Sequence, residues 1–165
     1  MSTTEGTEGF DQAFRSLYPQ ARSVALRILG SVPDAEDAAA EGMARALVDW
    51  RRVGGLAHRD AWILRVTINA AIDIARRRRA EPEAVVVDGG DDAAVLRVTL
   101  VAALAELPRR QREAVVLRHL VGLPEQEVAA ALGVSSNTVK KHLQRGMARL
   151  RSSPSITEEV TLAFD

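Results

Sequence analysis

The stretch EPEAVVVDGGDDAA, residues 81–94, constrains the architecture more than any other part of the sequence. Proline costs about 3 kcal/mol and glycine about 1 kcal/mol in a helix interior, and Pro82 and the Gly89-Gly90 pair stand here among clustered acids with only Val85, Val86 and Val87 to bury. A helix cannot cross such a segment cheaply, so the chain divides there. Both flanks show apolar residues at three- and four-residue steps, and aromatics are only 4% of the composition, which leaves strands little to be built from. The expectation is an all-α protein of two small helical domains, residues 10–80 and 96–151, joined by a flexible acidic linker over 81–95. Residues 1–9 read as a disordered N-terminus and 152–165 as an acidic tail, in which Val160, Leu162 and Phe164 form a short apolar strip.

The net charge of zero conceals a division along the chain. Residues 1–80 carry twelve basic and ten acidic side chains, 81–95 none and five, 96–151 ten and four, and 152–165 none and three. Two basic blocks separated by an acidic strip suit two modules that face a polyanion. With no cysteine in the sequence, disulfides, thiolate metal sites and cysteine nucleophiles are excluded. His58, His119 and His142 fall on different predicted helices, no helix pairs histidines at metal-ligand spacing, and there is no glycine-rich phosphate loop. No catalytic residue, metal, cofactor or small-molecule substrate is therefore expected. MSTTEGTEGF has neither a basic start nor an apolar run, and no segment approaches about 18 uninterrupted apolar residues, so a cytoplasmic location without membrane contact is expected.

In the first block Phe14, Leu17, Ala21, Val24 and Ile28 form one apolar stripe, with Pro19 expected to bend or restart the helix and Gly30 to end it. SVPD opens a second helix over about 34–50, with Pro33 in its first turn. Its small side, Ala38, Gly42 and Ala46, permits close backbone packing, and its other side presents Asp34, Asp37, Glu41 and Arg45. RRVGG, 51–55, reads as a loop. A third helix over about 58–79 puts Trp62, Ile63, Val66, Ala70 and Ile74 on a core face and leaves Arg65, Asn69, Asp73 and Arg76 on or near the opposite one. It ends in four successive arginines, Arg76, Arg77, Arg78 and Arg79, more than the helix macrodipole requires, so phosphate contact is the expected use of the surplus.

In the second block VTLVAALAELP gives a helix ended by Pro108, and RRQREAVVLRHL gives another with Ala114, Val115, Leu117 and Leu120 inward, broken by Gly122. PEQEVAAALGVSSNTVKKHLQRGMARLR then has the helix-turn-helix pattern. Ala129 is small where the two helices touch, Gly133 tolerates a positive φ in the turn, and Val128, Leu132, Val134, Val139 and Leu143 face the core. Ser135 is placed to cap the second helix. The remaining face carries Ser136, Asn137, Lys140, Lys141, Gln144 and Arg145, groups suited to base edges and phosphates in the major groove of duplex DNA.

The block from ALAELPRRQREAVVL through KKHLQRGMARLR resembles region 4 of bacterial sigma factors, and DAEDAAAE followed by HRDAWILRVTINAAIDIARRRR resembles region 2. A two-region chain of this size is similar to the extracytoplasmic-function (ECF) branch of the sigma-70 family, over about residues 10–151. The resemblance implies a sigma factor that associates with core RNA polymerase and directs promoter-specific transcription initiation. Region 2 then docks on the polymerase and captures the melted −10 element, and region 4 binds the −35 duplex. Carried onto this sequence, it implies core-polymerase contacts at Asp34, Asp37, Glu41 and Arg45. It implies −10 contacts at Trp50, Arg65, Asn69, Asp73, Arg76 and Arg77, and −35 contacts at Ser136, Asn137, Lys140, Lys141, Gln144 and Arg145. An anti-sigma factor is implied as a partner beside core RNA polymerase and promoter DNA.

GVSSNTVKKHL alone is at least as close to the DNA-binding domain of response-regulator-type activators, which bind duplex DNA without acting as a polymerase subunit. Against that alternative, the sequence continues as RGMARLR, the first eighty residues show no alternating strands, and no heptad stripe offers a dimer interface. Single strands are commonly held on aromatic platforms, and of the two tryptophans Trp62 belongs to the core stripe. That leaves Trp50, which suits capture of one or a few flipped bases in a loop pocket.

Overall fold

The computed structural model describes residues 2–81, 92–154 and 156, with side chains from residue 9 onward. The helices are α1 (Ser2–Leu29), α2 (Val32–Val48), α3 (Trp50–Val53), α4 (Arg59–Ala80), α5 (Asp92–Glu106), α6 (Arg109–Val115), α7 (Glu125–Leu132) and α8 (Ser136–Arg151). A π-helical turn, Val116–Leu120, continues α6, and among the described residues there is no strand. Most of the predicted linker, residues 82–91, and the strip Val160, Leu162 and Phe164 lie outside the described residues, while α5 begins at Asp92, inside the 81–95 stretch.

Helices α1, α2 and α4 pack as a three-helix body. The buried stripe of α1 is Ala13, Leu17, Ala21, Val24, Ala25 and Ile28, whereas the predicted Phe14 is 39% exposed and stacks on Tyr18, ring centroids 5.0 Å apart. The helix starts at Ser2, within the stretch read as a disordered N-terminus, and runs through Pro19 without a restart. Proline removes one backbone hydrogen bond, but Leu17 and Ala21 are buried on either side of it, so packing holds the helix together there. Phe10 meets Trp50 edge-on at 5.2 Å, which extends the contact of α1 beyond Ala13.

On α2 the small face is the buried one, with Ala35, Ala38, Ala39 and Ala46 wholly inaccessible. A Cβ at Gly42 would overlap Thr67 Oγ1, so α2 and α4 approach at backbone range. RRVGG is a loop only at its glycines: Val53 is fully buried and Asp49 pairs with Arg52, which together wind residues 50–53 into one helical turn. The core arc of α4 is Ala61, Ile63, Leu64, Ile68, Ala71 and Ile72, while Trp62, Ala70 and Ile74 are only half-buried. This arc is wider than a single stripe because α4 is packed from two sides, by α1 and α2 and by the C-terminal helices.

In the C-terminal half α6, α7 and α8 pack together. The helix predicted over RRQREAVVLRHL is α-helical only to Val115, and the bond from Val121 N–H to Val116 O, 3.1 Å, closes the π turn that leaves Leu120 half-buried. The halves are in contact. One continuous core cluster runs from Ala13 to Leu150, and Arg27 Nη2 donates to the Leu120 carbonyl at 2.8 Å.

Candidate nucleic-acid interface

The turn between α7 and α8 is built as its residues require. Gly133 takes the left-handed conformation, φ 66° and ψ 37°, which ends α7. Ser135 Oγ accepts a hydrogen bond from the Thr138 N–H at 3.2 Å and caps α8. Val139 and Leu150 bury one side of α8, and Asn137, Lys140, Lys141, Gln144 and Arg145 are exposed on the other, with Ser136 half-buried at the first turn. The helix contains no acid, and on its outer face Lys140 Nζ lies 4.0 Å from a carboxylate oxygen of Glu125. Arg149 is also exposed, one turn beyond the predicted set; its four-residue step from Arg145 was the signal available for it.

The second basic face, on α4, is arranged differently from the expectation. Asn69 Nδ2 donates to Glu113 Oε1 at 2.8 Å, and Arg76 donates to the carbonyl of Ala105. Arg65 is half-buried, with no hydrogen-bond partner for its Nε. Burial pushes its guanidinium below the ordinary value, with Glu113 pulling the other way. Arg65, Asn69 and Arg76 are thus gathered on one side of α4, where α5 and α6 half-bury Arg65 and Asn69 and leave Arg76 exposed. Glu113, whose side chain is 0% exposed, also accepts from Arg109 Nε at 3.1 Å and Arg110 Nη1 at 3.2 Å.

The other predicted residues separate into two places. Asp73 and Arg77 line a cleft of about 600 Å³ with Asp37, Glu41, Arg45 and Arg78, where Arg45 Nε meets Glu41 Oε1 at 2.6 Å. Asp34 does not share the exposed face of α2: it is 7% exposed and accepts from Arg78 Nη2 at 2.6 Å. Lying in the first turn of α2, its carboxylate meets the arginine run at the end of α4. Trp50 stands apart, its ring taken by Phe10 on its edge and by the Arg59 guanidinium 5.7 Å from its centroid. Phe10 and Tyr18 flank Phe14 at four-residue steps, and the three rings form a surface row on α1 instead of the single core position that the apolar stripe gives Phe14.

The sigma-70 region 2 family matches residues 13–81, and the sigma-70 region 4 family matches residues 97–150. The RNA polymerase sigma-E factor of Streptomyces coelicolor is 34% identical over 149 residues, covering 86% of this chain and 84% of that one. The chain belongs to the sigma-70 family. The sigma-E factor of Streptomyces antibioticus is 38% identical over 132 residues, covering 74% of this sigma factor and 73% of its own length. The ECF RNA polymerase sigma factor SigM of Mycobacterium tuberculosis is 34% identical over 150 residues, with 86% and 74% covered. The solved sigma factor RpoE of Bartonella quintana, in complex with the anti-sigma factor NepR, shares the fold at a TM-score of 0.51 and 23% identity, covering 86% of this chain and 94% of that one. In this sigma factor, region 4 lies against region 2, and α4 carries the contact. Among the described residues no helix is long and apolar enough to cross a membrane.

Proposed function

We propose that this ECF sigma factor brings core RNA polymerase to promoters by reading −35 duplex with the outer face of α8 and holding −10 single strand on α4. The observation that carries the proposal is the acid-free, capped helix α8, whose exposed Asn137, Lys140, Lys141, Gln144 and Arg145 lie on one surface. Such a surface combines base-edge donors and acceptors with phosphate-neutralising cations. Residues 10–80 and 96–151 are taken as its two modules, and the exposed Asp37, Glu41 and Arg45 on α2 as the polymerase-docking residues. Asp34 supports that face from beneath through Arg78. The chain acts as an initiation factor in the cytoplasm and performs no catalysis of its own. The relative from Bartonella quintana is bound to an anti-sigma factor, which supports a partner of that kind here.

The contact between the modules bears on how this works. Promoter elements centred near −10 and −35 are separated by about 25 base pairs, or about 85 Å of duplex at 3.4 Å per base pair. Modules that share one core cannot straddle that distance, so they part on the promoter. Residues 82–91 span about 35 Å when extended, and the breadth of the modules supplies the rest.

Run-off transcription with purified core enzyme on a genomic promoter library tests the proposal. Discrete transcripts should depend on added sigma factor, and promoter fragments should shift tightly only when core enzyme is present. Tight promoter binding by the chain alone, with no transcript on adding core enzyme, would favour an activator instead.

A further inference from the structure

We propose that the cleft between the two modules is a binding site for a small phosphate-bearing anion, held by Arg45 and Arg76 of region 2 and by Arg109 and Arg112 of region 4. The cleft has a volume of about 360 Å³, and these four arginines line it together with Asn69 and Asp73. That is room for a small molecule. Three helices, α2, α4 and α6, converge there, so the donors come from separate directions.

The charge in the cleft is unbalanced. Arg45 touches Glu41, Arg76 is 4.0 Å from Asp73, and Arg109 and Arg110 share the single carboxylate of Glu113. Of the residues that line the cleft, four are arginines and one, Asp73, is a carboxylate. Each guanidinium carries five N–H donors, and the described hydrogen bonds use one nitrogen each of Arg45, Arg76 and Arg109. Arg112 is the clearest sign. It is 5% exposed, yet its Nε has no hydrogen-bond partner. Burial first and Arg76 second push its guanidinium below the ordinary value, a direction that an anion in the cleft would oppose.

A multiply charged oxyanion fits this arrangement better than a chloride or a single carboxylate, because planar guanidiniums bind phosphate oxygens in pairs and one phosphate group can meet several of them. The small volume, walled on one side by region 4, suits a free phosphate compound rather than a nucleic-acid strand. Its arginines belong to both modules, so an occupant joins region 2 to region 4.

Isothermal titration of the full chain with inorganic pyrophosphate, at constant ionic strength, tests the site. Saturable binding of one pyrophosphate per chain is expected, at least about tenfold weaker in Arg109→Gln and Arg112→Gln and unchanged in Arg149→Gln on the outer face of α8. Chloride at matched ionic strength should give no such isotherm, and a single-stranded oligothymidine should not displace pyrophosphate. Arg112 is buried and its variant can fail to fold; Arg109, whose side chain is 69% exposed, keeps the test valid. No saturable pyrophosphate binding, wild-type affinity in Arg109→Gln, or displacement by the oligonucleotide overturns the proposal. It stands apart from promoter reading, since a chain that directs no run-off transcript can still be titrated with pyrophosphate.

Discussion

The bond from Asn69 on α4 to Glu113 on α6 joins the two modules, and its strength can be measured directly. Glu113 has no solvent exposure and accepts three described hydrogen bonds, from Asn69, Arg109 and Arg110. Hydrogen bonds to a charged group contribute about 1.5–3 kcal/mol each when partners are withdrawn from water. Arg109 and Arg110 are 69% and 49% exposed, so water recovers much of what they lose when the carboxylate is removed. We therefore expect Glu113→Ala to cost about 3 kcal/mol and Asn69→Ala about 2 kcal/mol, the latter by leaving a buried carboxylate one donor short. A double-mutant cycle should give a coupling of about 1.5 kcal/mol between the two sites, read from urea unfolding followed by far-UV circular dichroism. The shared core predicts one transition, with both modules unfolding together. A coupling below about 0.5 kcal/mol would refute the conclusion that this bond fastens region 4 to region 2.

Three further outcomes can be checked separately. Ser135→Ala should lower stability by about 1 kcal/mol through loss of the bond from the Thr138 N–H, which for a chain of this size is a fall in Tm of about 2–4 °C. Gly42→Ala should cost about 1–3 kcal/mol because its Cβ overlaps Thr67 Oγ1, and most of that should return in a Thr67→Ala background, since that hydroxyl has no hydrogen-bond partner to lose; thermal melts of the three variants decide it. Lys141→Ala should weaken binding to −35 duplex roughly equally across sequences and flatten the plot of log affinity against log salt by about 0.9, as removal of one phosphate contact requires; an unchanged slope assigns Lys141 to something other than phosphate.

What was legible in the sequence is what local chemistry decides. The αL turn at Gly133, the cap at Ser135 and the outward set on α8 follow from residues within a few positions of each other, and the structure has them so. The small face of α2 was readable because alanine and glycine there have one evident use, close packing. The face of α4 was not readable in the same way. Its polar residues look solvated from periodicity alone, and only the position of α6, set by long-range packing, turns Asn69 toward Glu113. Asp34 was misplaced for a similar reason: its partner Arg78 is 44 residues away. No local rule brings Phe10 to Trp50, so the partner of that ring is not legible in the sequence. The π turn at Val116–Leu120 has no sequence signature that we recognise.

The donors around Glu113 have an uneven origin: Arg109 and Arg110 sit on its own helix, and only Asn69 comes from across the boundary. When the halves separate, the carboxylate travels with its own counter-ions, and the neutral amide left behind needs nothing but a water molecule. Among the described residues, the one charge on the region 2 side that faces Glu113 is Arg65, half-buried at the boundary, so parting the halves would trade that carboxylate for water around its guanidinium.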